Sequence, residues 1–153
     1  MRHHLLALTV LAACGGGAPA PDASNPCLNE TRADTFAVGL DKRGTSGTFD
    51  FTLMSGEPAP PARGDNTWVL QVNTMVSGVV GAPLTGASLT VTPFMPDHGH
   101  GTPIKVNVTE TSTAGQYQLS PINMWMPGYW ETTVKASENT SSDTAVFKFC
   151  IPD

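Results

Sequence analysis

Two short stretches carry side chains whose types and spacing could do chemistry. "TPFMPDHGHGTP", residues 92–103, sets Met95, Asp97, His98 and His100 inside one Pro/Gly-bounded turn. "SPINMWMPGYWE", residues 120–131, sets Met124, Trp125 and Met126 between Pro121 and Pro127. Thioether sulfur is a soft ligand and imidazole a borderline one. Together they suit copper, Cu(I) above all, better than Mg²⁺ or Ca²⁺. His98 and His100 are separated by one glycine, and in an extended chain i and i+2 side chains face the same side, so both rings can reach one ion. Gly99 and Gly101 leave the backbone free to turn. Asp97 can accept a hydrogen bond from a ligand ring and fix its tautomer, or act as an oxygen ligand to Cu(II). The π face of Trp125 or Trp130 can cap Cu(I), by analogy with cation–π contacts. The candidate metal ligands are therefore Met95, His98, His100, Met124 and Met126, with Asp97, Trp125 and Trp130 around them.

Each of these residues also has an ordinary reading. Met95 continues the inward parity of Leu89 and Val91, so it can simply close a core. Met124, Trp125 and Met126 can form an apolar plug, and the two histidines can be exposed turn residues. Met54 and Met75 read as ordinary filler. The start of the chain adds weight to the histidines. "MRHHLLALTVLAACGGG" has a positive first segment at Arg2 and an apolar run from Leu5 to Leu11. That run is far short of the ~20 residues that span a bilayer, and the pattern is that of a secretory signal. Leu11-Ala12-Ala13-Cys14 resembles a bacterial lipobox, which places a signal over 1–13 and a lipid on Cys14. An ordinary signal cut near Ala18 to Ala20 is the alternative. Either cut removes His3 and His4, so that His98 and His100 become the only histidines left of the four.

The elements that must position these residues read as strands. After a small-residue and proline linker through residue 26, period-two alternation recurs. Phe36, Val38 and Leu40 share one face, as do Phe49, Phe51 and Leu53, and "KRGTSG" between them makes residues 35–54 a hairpin. Further strands bury Trp68, Leu70 and Val72; Leu89 and Val91; Ile104, Val106 and Val108; Tyr117 and Leu119; Trp130, Thr132 and Val134; and Ala145, Phe147 and Phe149. Pro121 and Pro127 are expected to interrupt pairing. About seven to eight short strands with no 3.6-residue period predict an all-β, antiparallel, immunoglobulin-like sandwich in one domain, residues 27–153. In such a fold the end of the Met95 strand and the Met124–Met126 stretch can lie at one pole.

Export places the chain where disulfides persist. With Cys14 lipidated, Cys27 and Cys150 remain as a pair at the two ends of the domain, and a bridge would tie those ends together. A metal-thiolate role for them is the lesser alternative, given their distance in sequence from the histidines. The net charge of −5 and the lack of a basic stripe argue against nucleic acid as a partner. No Gly-x-Ser-x-Gly elbow or phosphate loop is present, and two imidazoles with no free thiol make poor parts for a nucleophilic triad. An enzyme is therefore not expected.

The segments "PAPPARGDNTWVLQV", "GASLTVTPFMPDHGHGTP" and "GQYQLSPINMWMPGYWETTVKA" resemble the YtkA-like or FixH-like domain of exported bacterial proteins, over roughly residues 47–150. The resemblance implies a small immunoglobulin-like sandwich and, for some members, copper handling or the assembly of copper-containing oxidases. By motif it points to Met95, His98, His100, Met124 and Met126. The chain departs from the FixH type in having no transmembrane helix in its sequence. The expectation is a copper-binding lipoprotein of the bacterial cell envelope, facing the periplasm or the exterior and held to the membrane by its lipid alone. It would exchange Cu(I) or Cu(II) with a copper-receiving or copper-exporting envelope protein. The competing expectation is a metal-free structural or protein-interaction module on the same envelope.

Overall fold

The structure, a computed structural model, describes residues 25–153. The expected signal over 1–13, the lipid on Cys14 and most of the linker lie outside the described residues. Those residues form strands and turns: β1 Leu40–Arg43, β2 Phe49–Glu57, β3 Gly64–Val76, β4 Val79–Pro83, β5 Ser88–Met95, β6 His100–Gly101, β7 Asn107–Glu110, β8 Gln116–Met124, β9 Gly128–Glu138 and β10 Ser141–Ile151. One sheet runs β1-β2-β3-β8-β7, with β4 paired to the end of β3. The other runs β10-β9-β5-β6. Every pairing is antiparallel, and the two sheets close face to face as a β-sandwich.

Alternation sets the faces. Phe49, Phe51 and Leu53 of β2, Trp68, Leu70 and Val72 of β3, and Tyr117 and Leu119 of β8 point inward and are buried. Trp130, Thr132, Val134 and Ala136 of β9, with Ala145, Phe147 and Phe149 of β10, meet them from the other sheet. Trp68 bridges the layers edge-on, with ring centroids 6.0 Å from Phe147 and 5.4 Å from Phe149. Aromatic pairs at such separations add to what their buried area contributes. Val91 is buried as expected, while Leu89 is half-buried at the edge of the core.

Four expectations need correction. The strand expected over "TFAVGL" starts only at Leu40, and Val38 is 68% exposed. Gly39 takes a left-handed φ of 88° there, which breaks the extended run and lets Phe36 turn in against Phe149 at 6.0 Å. Ile104 is 42% exposed because residues 102–106 cross from one sheet to the other and pairing resumes only at Asn107. Pro121 does not interrupt its strand. The β3–β8 register shifts between Asn66 and Trp68, where three steps of β8 match two of β3. Proline, having no N–H to give, is accommodated at such a bulge. Finally, β4 and β6 bring the strands to ten rather than seven or eight. β4 is exposed along its length, so no alternation announces it. Its hairpin turn, Ser77-Gly78, has φ of 52° and 78°, the double positive φ of a two-residue turn that suits strand twist. β6 is two residues long.

The chain before β1 forms a strap along the free edge of β10. Cys27 is disulfide-bonded to Cys150, with Cα atoms 5.6 Å apart, as expected. The Asp34 N–H donates to the Lys148 carbonyl at 2.7 Å, and the Lys148 N–H donates to the Asp34 carboxylate at 2.8 Å. Lys42 adds an ion pair to Asp34. An unpaired strand edge is thereby covered.

Candidate functional site

The histidine turn is a tight hairpin between β5 and β6. Met95 and His100 pair directly, and the Met95 carbonyl accepts the N–H groups of His98 at 3.2 Å and Gly99 at 2.9 Å. Pro96 then occupies the second position of a β-turn, which its fixed φ suits, and Gly99 takes a φ of 69°. At Gly101 an added Cβ would lie 2.5 Å from the Pro93 carbonyl oxygen. Pro96, Gly99 and Gly101 are thus needed to make the hairpin, but nothing in its backbone requires histidine at 98 or 100.

The two rings are close. Their centroids lie 5.7 Å apart, with the planes at 53°. Strand parity does not account for this, since His98 sits in the turn with left-handed Gly99 after it. The turn itself folds the rings together. A ring bound to a metal through one nitrogen has its centroid about 3.2 Å from an ion held at ~2.0–2.1 Å, so two rings on one ion have centroids up to ~6.4 Å apart. The observed separation falls within that span. His100 Nδ1 lies 3.2 Å from the Gly101 carbonyl oxygen. A carbonyl only accepts, so Nδ1 carries the proton and a neutral His100 leaves Nε2 open for a ligand. The tautomer-fixing role expected of Asp97 falls to this carbonyl.

The second segment meets the first. The connection of residues 125–127 crosses from β8 in one sheet to β9 in the other. Its carbonyls are pinned by Arg63 Nε, which donates to Trp125 O at 3.0 Å, and by Trp130 Nε1, which donates to Met126 O at 2.9 Å. Trp125, 45% exposed, stacks on His100 with centroids 5.6 Å apart and planes at 25°. Gly128 follows with φ 125°, and an added Cβ there would lie 2.9 Å from Met95 Cε. Thr102 Oγ1 donates to Asn123 Oδ1 at 3.3 Å between the same two regions.

The candidates therefore divide. His98 is exposed, His100 and Met126 are half-buried, and Trp125 flanks them. Met95 and Met124 are wholly buried at the same end of the core. Trp130 is wholly buried as well, and its indole N–H is spent on Met126, so the exposed π face at this pole is Trp125's. Among the described residues no three His, Cys, Asp or Glu side chains converge as a metal site. Cys27 and Cys150 are taken up by their disulfide. A cavity of about 530 Å³ lies elsewhere, under the strap between Phe36, Phe149 and Pro60, and none of Met95, His98, His100, Met124 and Met126 lines it.

Asp97 has a partner that sequence reasoning missed. Arg32 grips both of its carboxylate oxygens, Nη1 to Oδ1 at 2.8 Å and Nη2 to Oδ2 at 2.6 Å. The same guanidinium donates to Glu30 at 2.6–3.2 Å and lies 4.1 Å over the Tyr129 ring. Hydrogen bonds from Arg32 hold the Asp97 carboxyl below its usual range, and those from Arg32 do the same for Glu30. The available signal was the cysteine pair. Cys150 lies opposite Tyr129 in the β10–β9 register, so a bridge to Cys27 brings the next few residues, Arg32 included, to this pole.

Comparison with curated proteins and with solved structures finds no match. A family model does match: YtkA-like, over residues 44–135, a span that holds both the histidine turn and the 125–127 connection. The chain belongs to the YtkA-like family.

Proposed function

We propose that this YtkA-like domain is a copper-binding protein of the bacterial cell envelope, anchored through a lipid on Cys14, which captures, stores or hands on copper. The observation that supports this reading is the pair of imidazoles at one exposed turn, 5.7 Å apart, with the Nε2 of His100 left open. His98 and His100 supply the first two donors. Met126 is the thioether of the set that is not wholly buried, and it shares its connection with the indole stacked on His100. Met95 and Met124 pack the core first, and would join only if the ion sat inward of the rings. Two imidazoles without a carboxylate suit monovalent copper better than zinc, which takes three or four protein ligands. The protein binds and transfers; it is not an enzyme. Its partner is a copper-receiving or copper-exporting protein of the same envelope.

Titration of the mature protein with Cu(I) and Cu(II), beside His98→Ala/His100→Ala, tests this. Wild type should bind Cu(I) and the double variant should lose that binding. Equally weak binding by both overturns the reading. One observation favours a second reading, a metal-free interaction module. An indole 45% exposed at a loop-bearing pole is the kind of side chain that anchors protein interfaces. That reading predicts partner capture that survives replacement of residues 97–100 by Ser and Gly but is lost in Trp125→Ala.

A further inference from the structure

Resting on the copper reading, we propose that Arg32 determines the metal specificity of the site: by engaging both oxygens of Asp97 it withholds the one carboxylate of the histidine turn. The donors left are then neutral, which favours monovalent copper over Zn(II) and Cu(II). Asp97 immediately precedes His98, and in a turn this tight its carboxylate is the anionic oxygen ligand nearest in sequence to the two rings. Anionic oxygen added to two imidazoles makes a donor set for zinc and Cu(II). The fork of a guanidinium matches a carboxylate with two parallel hydrogen bonds, which lysine does not reproduce. Both oxygens of Asp97 are occupied in this way.

Arg32 is itself held from several directions. Glu30 takes the other side of the guanidinium, Tyr129 lies beneath it, and the strap is fixed by the Cys27–Cys150 bond and by the paired Asp34 and Lys148. Arg32 touches no metal in this scheme; it acts through Asp97.

The test compares mature wild type with Arg32→Met, Arg32→Lys, Asp97→Asn and Arg32→Met/Asp97→Asn. Zn(II) affinity is read by competition with a chromophoric chelator, and Cu(I) affinity with a Cu(I)-selective chelator under ascorbate. Arg32→Met frees the Asp97 carboxylate to join the two imidazoles as a third ligand, so it should gain about tenfold or more for Zn(II) and change by no more than about threefold for Cu(I). Arg32→Lys should show a smaller gain of the same sign, and it decides the matter should Arg32→Met fail to fold. The gain should vanish in the double variant, and Asp97→Asn alone should bind Zn(II) as wild type does. Wild type that binds Cu(I) through its histidines, beside Arg32 variants that gain no Zn(II) affinity, overturns this inference and leaves the copper reading intact. Wild type that binds no Cu(I) overturns both. A gain that persists in the double variant also overturns the inference, because Asp97 would not then be its source.

Discussion

The two poles of the sandwich use polar side chains in opposite ways. At the far pole Asp143, only 3% exposed, accepts the backbone N–H groups of Ser46 at 2.8 Å, Thr48 at 2.8 Å, Phe49 at 3.0 Å and Thr144 at 2.8 Å. The β1–β2 turn wraps this carboxylate so closely that a Cβ on Gly44 would lie 2.2 Å from it. Burial pushes the carboxyl up, but the N–H donors outweigh it and bring it to about 2. Asp143 pairs with Ala136, eight residues along β9 from Gly128, or about 26 Å from the histidine pole. At that near pole His98 and Trp125 face solvent, and His100 keeps a ring nitrogen open. A polar group spent wholly on its own backbone builds the fold. One held in place yet left with an open lone pair is fitted for something that comes from outside.

That contrast can be broken most directly at Asp143. Asp143→Ala leaves the buried Phe49 N–H and three half-buried ones without their acceptor and should cost about 3 kcal/mol by urea unfolding, with Cu(I) binding per folded molecule unchanged. A loss of Cu(I) binding in the folded fraction would mean that the poles are coupled. Next in size is Gly128→Ala at the near pole. It meets a φ of 125° and the Met95 methyl, and overpacking of this kind costs about 1–3 kcal/mol. Met95 is wholly buried, so Met95→Ala should itself cost about 2–5 kcal/mol by thermal unfolding, and Gly128→Ala/Met95→Ala should lose less than the two single losses summed, since the two sites touch.

Acid and base should act on the fold through different carboxylates. The Asp143 carboxyl is lowered from 3.8 to about 2, so its contribution is present above pH 4 and is lost as pH falls toward 2. Asp50 runs the other way. Burial, with the Asp41 carboxylate beside it, raises it from 3.8 to about 6, so its ionisation weakens the fold as pH rises across that interval. Urea midpoints from pH 2 to 8 should rise and then decline, and Asp50→Asn should flatten only the decline. The smallest effect sharpens the comparison most. His98→Ala/His100→Ala should cost about 1 kcal/mol or less, the worth of the His100–Trp125 stack at a half-exposed site, while abolishing Cu(I) binding.

Much of this architecture was legible because inward alternation is a strong constraint. Trp68, Leu70 and Val72, or Trp130, Thr132 and Val134, have no other way to be buried together in strands. The meeting of the Met95 and Met124–Met126 segments followed from sandwich topology, in which both segments end strands at one pole. Alternation misled where the backbone departs from it locally, at Val38 beside left-handed Gly39 and at Ile104 in a crossing between sheets. Proline at 121 misleads in the same way, because a register shift absorbs its missing N–H. Within the site, the closeness of the two imidazoles was foreseen, but on the wrong ground, since a turn and not a strand brings them together. Arg32 was out of reach of local pattern. It lies 65 residues from Asp97 and arrives through a disulfide and an edge contact. Pairings of that range carry no periodic trace.

The place of Cys27 has a consequence for orientation. Its bond to Cys150, opposite Tyr129 and one residue from Gly128 in register, means that the described chain sets out from the pole that carries the histidines. Twelve residues separate Cys14 from Cys27, a contour of at most about 45 Å. With a lipid on Cys14, that tether would leave the Asp143 pole the farther-reaching end and keep the imidazole pole within about 45 Å of the bilayer. Cargo held there would be offered to proteins embedded in the same membrane before it met anything diffusing past.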